Sequence, residues 1–166
     1  MHKELEKRVL AHLKGRNLSQ IVGQGGRHRW IEESNGKGSI YRAYDFPASS
    51  PGVLLHDPAD PLPLEDASQD LMLTLDLFER LRMDQLYMVA AESRRTLRQG
   101  GLWLLSGLSF GEDLLRIYVG GALRKLSKRR ALELTHYISP EDWRTLENKK
   151  WNEGLLTQQF LALERL

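Results

Sequence analysis

GVLLHDPADPLPLEDASQDLMLTLD, residues 52–76, decides the fold of this chain. It reads as an apolar strand from Val53 to His56, an acidic, proline-punctuated loop from Asp57 to Gln69, and a second strand from Asp70 to Leu75. Downstream, Met83 to Leu97 carries Leu86, Val89, Ala90, Ser93 and Leu97 on one helical face, and Gly100-Gly101 then turn the chain into a strand at Leu102 to Leu105. Strands that alternate with helices imply a parallel sheet, and such sheets bind ligands at the carboxyl ends of their strands.

Upstream, Leu5, Val9, Leu10 and Leu13 share one face of a helix over residues 1–16 that ends at Gly15. Leu18 to Val22 is a strand running into Gly23-Gln24-Gly25-Gly26, Arg27 to Ser34 suits a short helix, and Ser39 to Tyr44 is a strand stopping at Asp45. Pro47 and Pro51 exclude a long helix in the next segment, because proline lacks the amide donor. The pattern over Glu112 to Leu134 is helical, interrupted at Gly120-Gly121, and Ser139-Pro140-Glu141-Asp142 has the composition of a helix start. Lys149 to Glu153 and Leu155 to Glu164 flank Gly154 as a terminal hairpin. The expected fold is therefore α/β: a doubly wound, mostly parallel sheet of about seven strands, closed by an antiparallel hairpin.

The 166 residues are expected to form a single domain, with 109–143 as a lid-like helical segment. The net charge of +2 does not suggest a nucleic-acid surface. The absence of cysteine excludes disulfides, thiolate metal sites and cysteine nucleophiles, and fits a cytoplasmic location. The charged first sixteen residues lack the apolar core of a signal peptide. The five histidines show no paired ligand spacing, so no metal is expected.

Gly23 and Gly25 can bring backbone amides close to a ligand. Asp45 stands about 20 residues further on, where an acid can accept hydrogen bonds from both hydroxyls of a ribose. This pair indicates a nucleoside-type ligand without naming it. The segment from Asp57-Pro58 through Leu62-Pro63-Leu64 to Asp66-Ala67-Ser68-Gln69-Asp70 resembles the middle of class I S-adenosylmethionine-dependent methyltransferases of the small-molecule type, which typically read Asp-Ala-x-x-Leu-Pro-Phe-x-Asp-x-Ser-Phe-Asp. Leu97-Arg98-Gln99-Gly100-Gly101 is similar to the family's Leu-Lys-Pro-Gly-Gly turn, which is structural.

The resemblance spans about residues 18–110 and implies a methyltransferase-like domain with S-adenosyl-L-methionine as cofactor. It places Gly23, Gly25, Asp45, Asp57, Pro58, Thr74 and Leu75 around that cofactor, with Asp57 on the adenine amino group and Thr74 and Leu75 forming a wall. The sulfonium is already activated, so the protein mainly aligns donor and acceptor. His136 and Tyr137 are the candidates for a general base, which only an acceptor with an acidic proton requires. The implied partner is a small-molecule acceptor. Arg116, Arg124, Lys125, Lys128, Arg129 and Arg130, interleaved with apolar residues, admit an amphiphilic acceptor and, as a basic amphipathic helix, a peripheral membrane contact through 114–130.

Two other readings share this pattern. The loop is Gly-Gln-Gly-Gly and not Gly-x-Gly-x-Gly, which allows a non-catalytic binding module on the same fold. A nicotinamide-dependent oxidoreductase uses the same nucleoside logic, but no Tyr-x-x-x-Lys motif follows the fourth or fifth strand. The acceptor, the methylated atom and the oligomeric state are not encoded in any pattern of this chain.

Overall fold

A computed structural model describes residues 3–21, 28–45, 51–77, 80–108, 115–119, 122–126, 140–153 and 156–166. The elements are α1 (Lys3–Leu13), β1 (Leu18–Ile21), α2 (Arg29–Ser34), β2 (Tyr41–Asp45), β3 (Val53–Leu55), β4 (Gln69–Leu75), α3 (Met83–Thr96), β5 (Leu97–Leu108), β6 (Leu115–Val119), β7 (Ala122–Leu126), β8 (Trp143–Glu153) and β9 (Leu156–Arg165). Seven strands form one sheet in the order β3-β2-β1-β4-β5-β9-β8, and β6-β7 form a separate pair. β1 to β5 run parallel, while β9 enters antiparallel between β5 and β8. This is the expected doubly wound sheet with its antiparallel hairpin.

Two apolar layers cover the two faces. On β4 and β5, Leu71, Leu73, Leu102 and Leu104 point to one side, where they pack with Leu5, Val9 and Leu13 of α1 and Ile31 of α2. Met72, Trp103 and Leu105 point to the other, against Leu86, Val89 and Ala90 of α3. Because both faces are buried, these central strands read as nearly continuous apolar runs. Trp103 lies 5.2 Å from Trp143 between ring centroids, joining β8 to the α3 layer. On the opposite face, Arg8 and His12 of α1 reach Glu147 of β8, and the His12 ring stacks on Phe160.

Three expectations about local structure are corrected. Residues 115–119 and 122–126 are the strands of a hairpin, not parts of a helix. Ile117, Tyr118 and Val119 are strong strand formers, and the antiparallel pairing of the two segments overrides the helical pattern. The helical periodicity that suggested a membrane contact through 114–130 therefore does not apply to these residues. Second, the helix expected after Ser139-Pro140 is replaced by an extended strand from Trp143, whose pairing with β9 along its length overrides the local start signal. Third, β5 begins at Leu97 and not at Leu102, with a register irregularity opposite Gln69 and Leu71.

That irregularity accounts for the glycine pair. Gly100 has φ of +75°, and a Cβ on Gly101 would lie 2.8 Å from the Arg98 carbonyl oxygen. The pair thus meets a backbone requirement within β5. Among the described residues no helix is long and apolar enough to cross a membrane.

Candidate functional site

The carboxyl ends of β1 to β5 lie along one edge of the sheet, because all five strands run the same way. The order reverses between β1 and β4: α2, after β1, packs on one face, and α3, after β4, on the other. The crevice at such a reversal is where open α/β sheets hold ligands.

Asp45 is the last residue of β2 and is buried, with 7% of its surface exposed. It stands opposite Leu55, the end of β3, and its carbonyl accepts the His56 amide at 2.8 Å. Asp57 follows at once, so two carboxylates occupy the ends of neighbouring strands. Asp57 Oδ1 accepts the Ala59 amide at 2.9 Å and Gln85 Nε2 of α3 at 3.2 Å. The Ala59 amide, and then Gln85, hold the Asp57 carboxyl below the usual carboxylate range. Pro58 is buried beneath the turn.

The rest of the acidic loop is tied to α3 mainly through Arg95, with Glu92 beside it. Arg95 donates to the carbonyls of Leu62 (3.0 Å) and Leu64 (2.8 Å), to Asp66 (2.7 Å) and to both oxygens of Glu92. Glu92 also accepts the Leu62 amide at 2.7 Å. Burial opposes ionisation of Glu92, but Arg95 and the Leu62 amide outweigh it and lower its pKa. The loop that presents Asp57 is thus held by the helix behind it.

At the end of β4, Thr74 is fully buried and its hydroxyl accepts the Trp103 indole N–H at 3.0 Å. Leu75 packs in the α1 layer. The next residue, Asp76, was not anticipated. It has φ of +51°, left-handed for a residue with a Cβ, and its amide donates to the Ser106 carbonyl at 2.9 Å. Ser106 Oγ in turn donates to Asp76 Oδ1 at 2.9 Å. Backbone strain of this kind concentrates at functional sites, and position directly after an apolar strand was the only available signal.

His28, before α2, stacks on Trp30 at 5.7 Å. Burial pushes its pKa down, against the field of the Asp76 carboxylate. His56 meets the edge of Tyr44 at 5.7 Å, and burial pushes the Tyr44 phenol up. Gly23, Gly25, His136 and Tyr137 lie outside the described residues. Among those described, no group of histidines and carboxylates could hold a metal ion.

No protein-family model and no curated protein sequence matches the chain. Solved structures do. The 1,6-didemethyltoxoflavin-N1-methyltransferase of Burkholderia thailandensis, crystallised with 1,6-didemethyltoxoflavin and S-adenosylhomocysteine, is similar with a TM-score of 0.67 and 15% identity, over 98% of this chain and 77% of that one. The geranyl diphosphate C-methyltransferase of Streptomyces coelicolor A3(2) gives 0.68 and 11%, over 98% and 78%. An S-adenosylmethionine-dependent methyltransferase of Aquifex aeolicus gives 0.65 and 14%, over 96% and 89%. The sheet order, the antiparallel strand beside β5 and these likenesses together show that the chain has the fold of the class I S-adenosylmethionine-dependent methyltransferases.

Proposed function

We propose that this protein binds S-adenosyl-L-methionine and transfers its methyl group to a small acceptor molecule. The observation that carries the reading is the pair of carboxylates, Asp45 and Asp57, at the ends of adjacent strands β2 and β3. Their chemistry fits the two polar parts of an adenosine. In this reading Asp45 accepts from the ribose hydroxyls, and Asp57 from the exocyclic amine of adenine. Gly23 and Gly25, between β1 and α2, would bring backbone amides to the methionine end, with Thr74 and Leu75 backing the pocket from β4.

The cofactor supplies an activated methyl group, so the chain's task is binding, alignment and exclusion of water. Where the acceptor must lose a proton, His136 and Tyr137 are the candidates to take it. The neighbours crystallised with S-adenosylhomocysteine support the choice of cofactor. Their differing substrates leave the acceptor class at small molecules.

The test is calorimetry of the purified protein with S-adenosylhomocysteine, S-adenosylmethionine and NAD(H). Binding of the first two, with a rise in melting temperature, is expected by mass action. Binding of NAD(H) alone, or of none of them at millimolar concentration, would overturn the reading. Turnover is then followed as S-adenosylhomocysteine released on incubation with candidate acceptors.

A further inference from the structure

Gln85, in the first turn of α3, is the only described side chain that donates a hydrogen bond to the Asp57 carboxylate. Its orientation is determined at both ends of the amide. Oε1 accepts the Arg82 backbone N–H at 3.0 Å, which leaves Nε2 facing Asp57 Oδ1 at 3.2 Å. Gln85 is buried, with 8% of its surface exposed, while Asp57 is half-buried, so its two bonds are partly shielded from water.

The second donor to Asp57, the Ala59 amide, falls on the same oxygen. Oδ1 is therefore doubly engaged, while Oδ2 has no hydrogen-bond partner among the described residues. Two donors on one oxygen fix the plane of a carboxylate and direct the other oxygen outward. Preorganisation of this kind raises affinity and selectivity, because the rotamer is not lost on binding.

Resting on the cofactor reading above, we propose that Gln85 is a positioning residue that makes Asp57 a selective acceptor for the 6-amino group of adenine. A 6-amino group donates to Oδ2. A 6-keto group, as in hypoxanthine, brings a second acceptor against the carboxylate and is rejected. Selectivity then depends on Oδ2 being held in place, and Gln85 ties that geometry to the start of α3.

The experiment compares binding of S-adenosylhomocysteine and of its deaminated analogue S-inosylhomocysteine by calorimetry, in the wild-type protein and in Q85E, Q85M and D57N. Glutamate at position 85 still accepts the Arg82 amide, as acids do in capping boxes, but turns a donor into a charge facing Asp57. Q85E is expected to lower the ligand-free melting temperature through repulsion between the two carboxylates, to bind S-adenosylhomocysteine about tenfold more weakly, and to lose most of the discrimination against the inosine analogue. Q85M, which keeps the volume without the bonds, should show the same direction. In the ligand-free protein its Asp57 carboxyl, followed by carbon-13 NMR, should titrate at higher pH than in the wild type. Wild-type affinity and discrimination in both Gln85 variants, with D57N impaired, would overturn the role of Gln85 alone. Wild-type behaviour in D57N as well would remove Asp57 from adenine recognition. No binding of S-adenosylhomocysteine by the wild type would sink this inference together with the cofactor reading.

Discussion

The indole N–H of Trp103 on β5 donates to the hydroxyl of Thr74 on β4 at 3.0 Å, with both side chains fully buried. A polar bond inside an apolar layer matters mostly through what its loss leaves behind. Thr74→Val keeps the shape and removes the acceptor, so unfolding in urea should show a loss of about 1–3 kcal/mol. An unchanged midpoint would mean that Trp103 is satisfied without Thr74.

Arg95 presents a second case, with a pH signature. Replacing it by alanine removes its bonds to Leu62, Leu64, Asp66 and Glu92 and leaves a buried carboxylate without its cation. The expected loss at neutral pH is about 2–3 kcal/mol, below the range for a fully buried pair because Arg95 is partly exposed. Glu92 has a lowered pKa in the native protein. Its stabilisation is therefore complete above the unfolded-state value, about 4.3, and is lost as pH falls through the lower native value. The gap between wild type and Arg95→Ala should be widest at neutral pH and narrow on acidification below about pH 4. Denaturant titrations at pH 7 and pH 3.5 check this, and a gap independent of pH would assign the loss to packing.

Gly101→Ala should be more damaging than Gly100→Ala. At 101 the new Cβ would meet the Arg98 carbonyl at 2.8 Å, Leu97 at 3.1 Å and the Gln69 carbonyl at 3.3 Å, and two of these are backbone atoms that cannot swing away. About 2–3 kcal/mol is expected. At 100 the nearest contact is Glu164 at 3.9 Å, so only the left-handed φ is penalised, by about 1–2 kcal/mol. Melting curves of the two variants decide the order.

Asp45→Ala should weaken S-adenosylhomocysteine binding by about 1.5–3 kcal/mol, the range for hydrogen bonds to a charged group. Calorimetry on a variant whose circular dichroism matches the wild type is the measurement. Undiminished affinity would take Asp45 out of the site.

The parallel half of the sheet was readable in the sequence because burial on both faces makes strands such as Leu71 to Leu75 apolar throughout, and turn residues bound them. α1 was readable because Leu5, Val9 and Leu13 repeat at helical spacing. β8 was not. That stretch follows the helix-start composition of Ser139 to Asp142 and is mostly exposed at the sheet edge, and its pairing with β9 is not a local property. The hairpin over 115–126 failed for another reason: Leu115, Ile117 and Tyr118 satisfy a helical and an extended pattern equally well. The positions of Asp45 and Asp57 at the ends of β2 and β3 could be read from the strand pattern. The Gln85 contact could not, since it joins residues 28 apart through a fold that must exist first. The left-handed turn at Asp76 similarly depends on Ser106, 30 positions away.

The placement of β9 has a consequence for the order of events during folding. β8 is made before β9 on the ribosome, yet its only route into the sheet is through β9, which pairs with β5 on one side and β8 on the other. Until β9 emerges, β5 presents an unpaired edge and Trp143 has no strand to hold it beside Trp103. Nascent chains halted before residue 156 would therefore expose that edge to other chains, as unpaired strand edges do. β9 acts as the keystone of this sheet, and chaperone dependence should concentrate in the interval before its arrival.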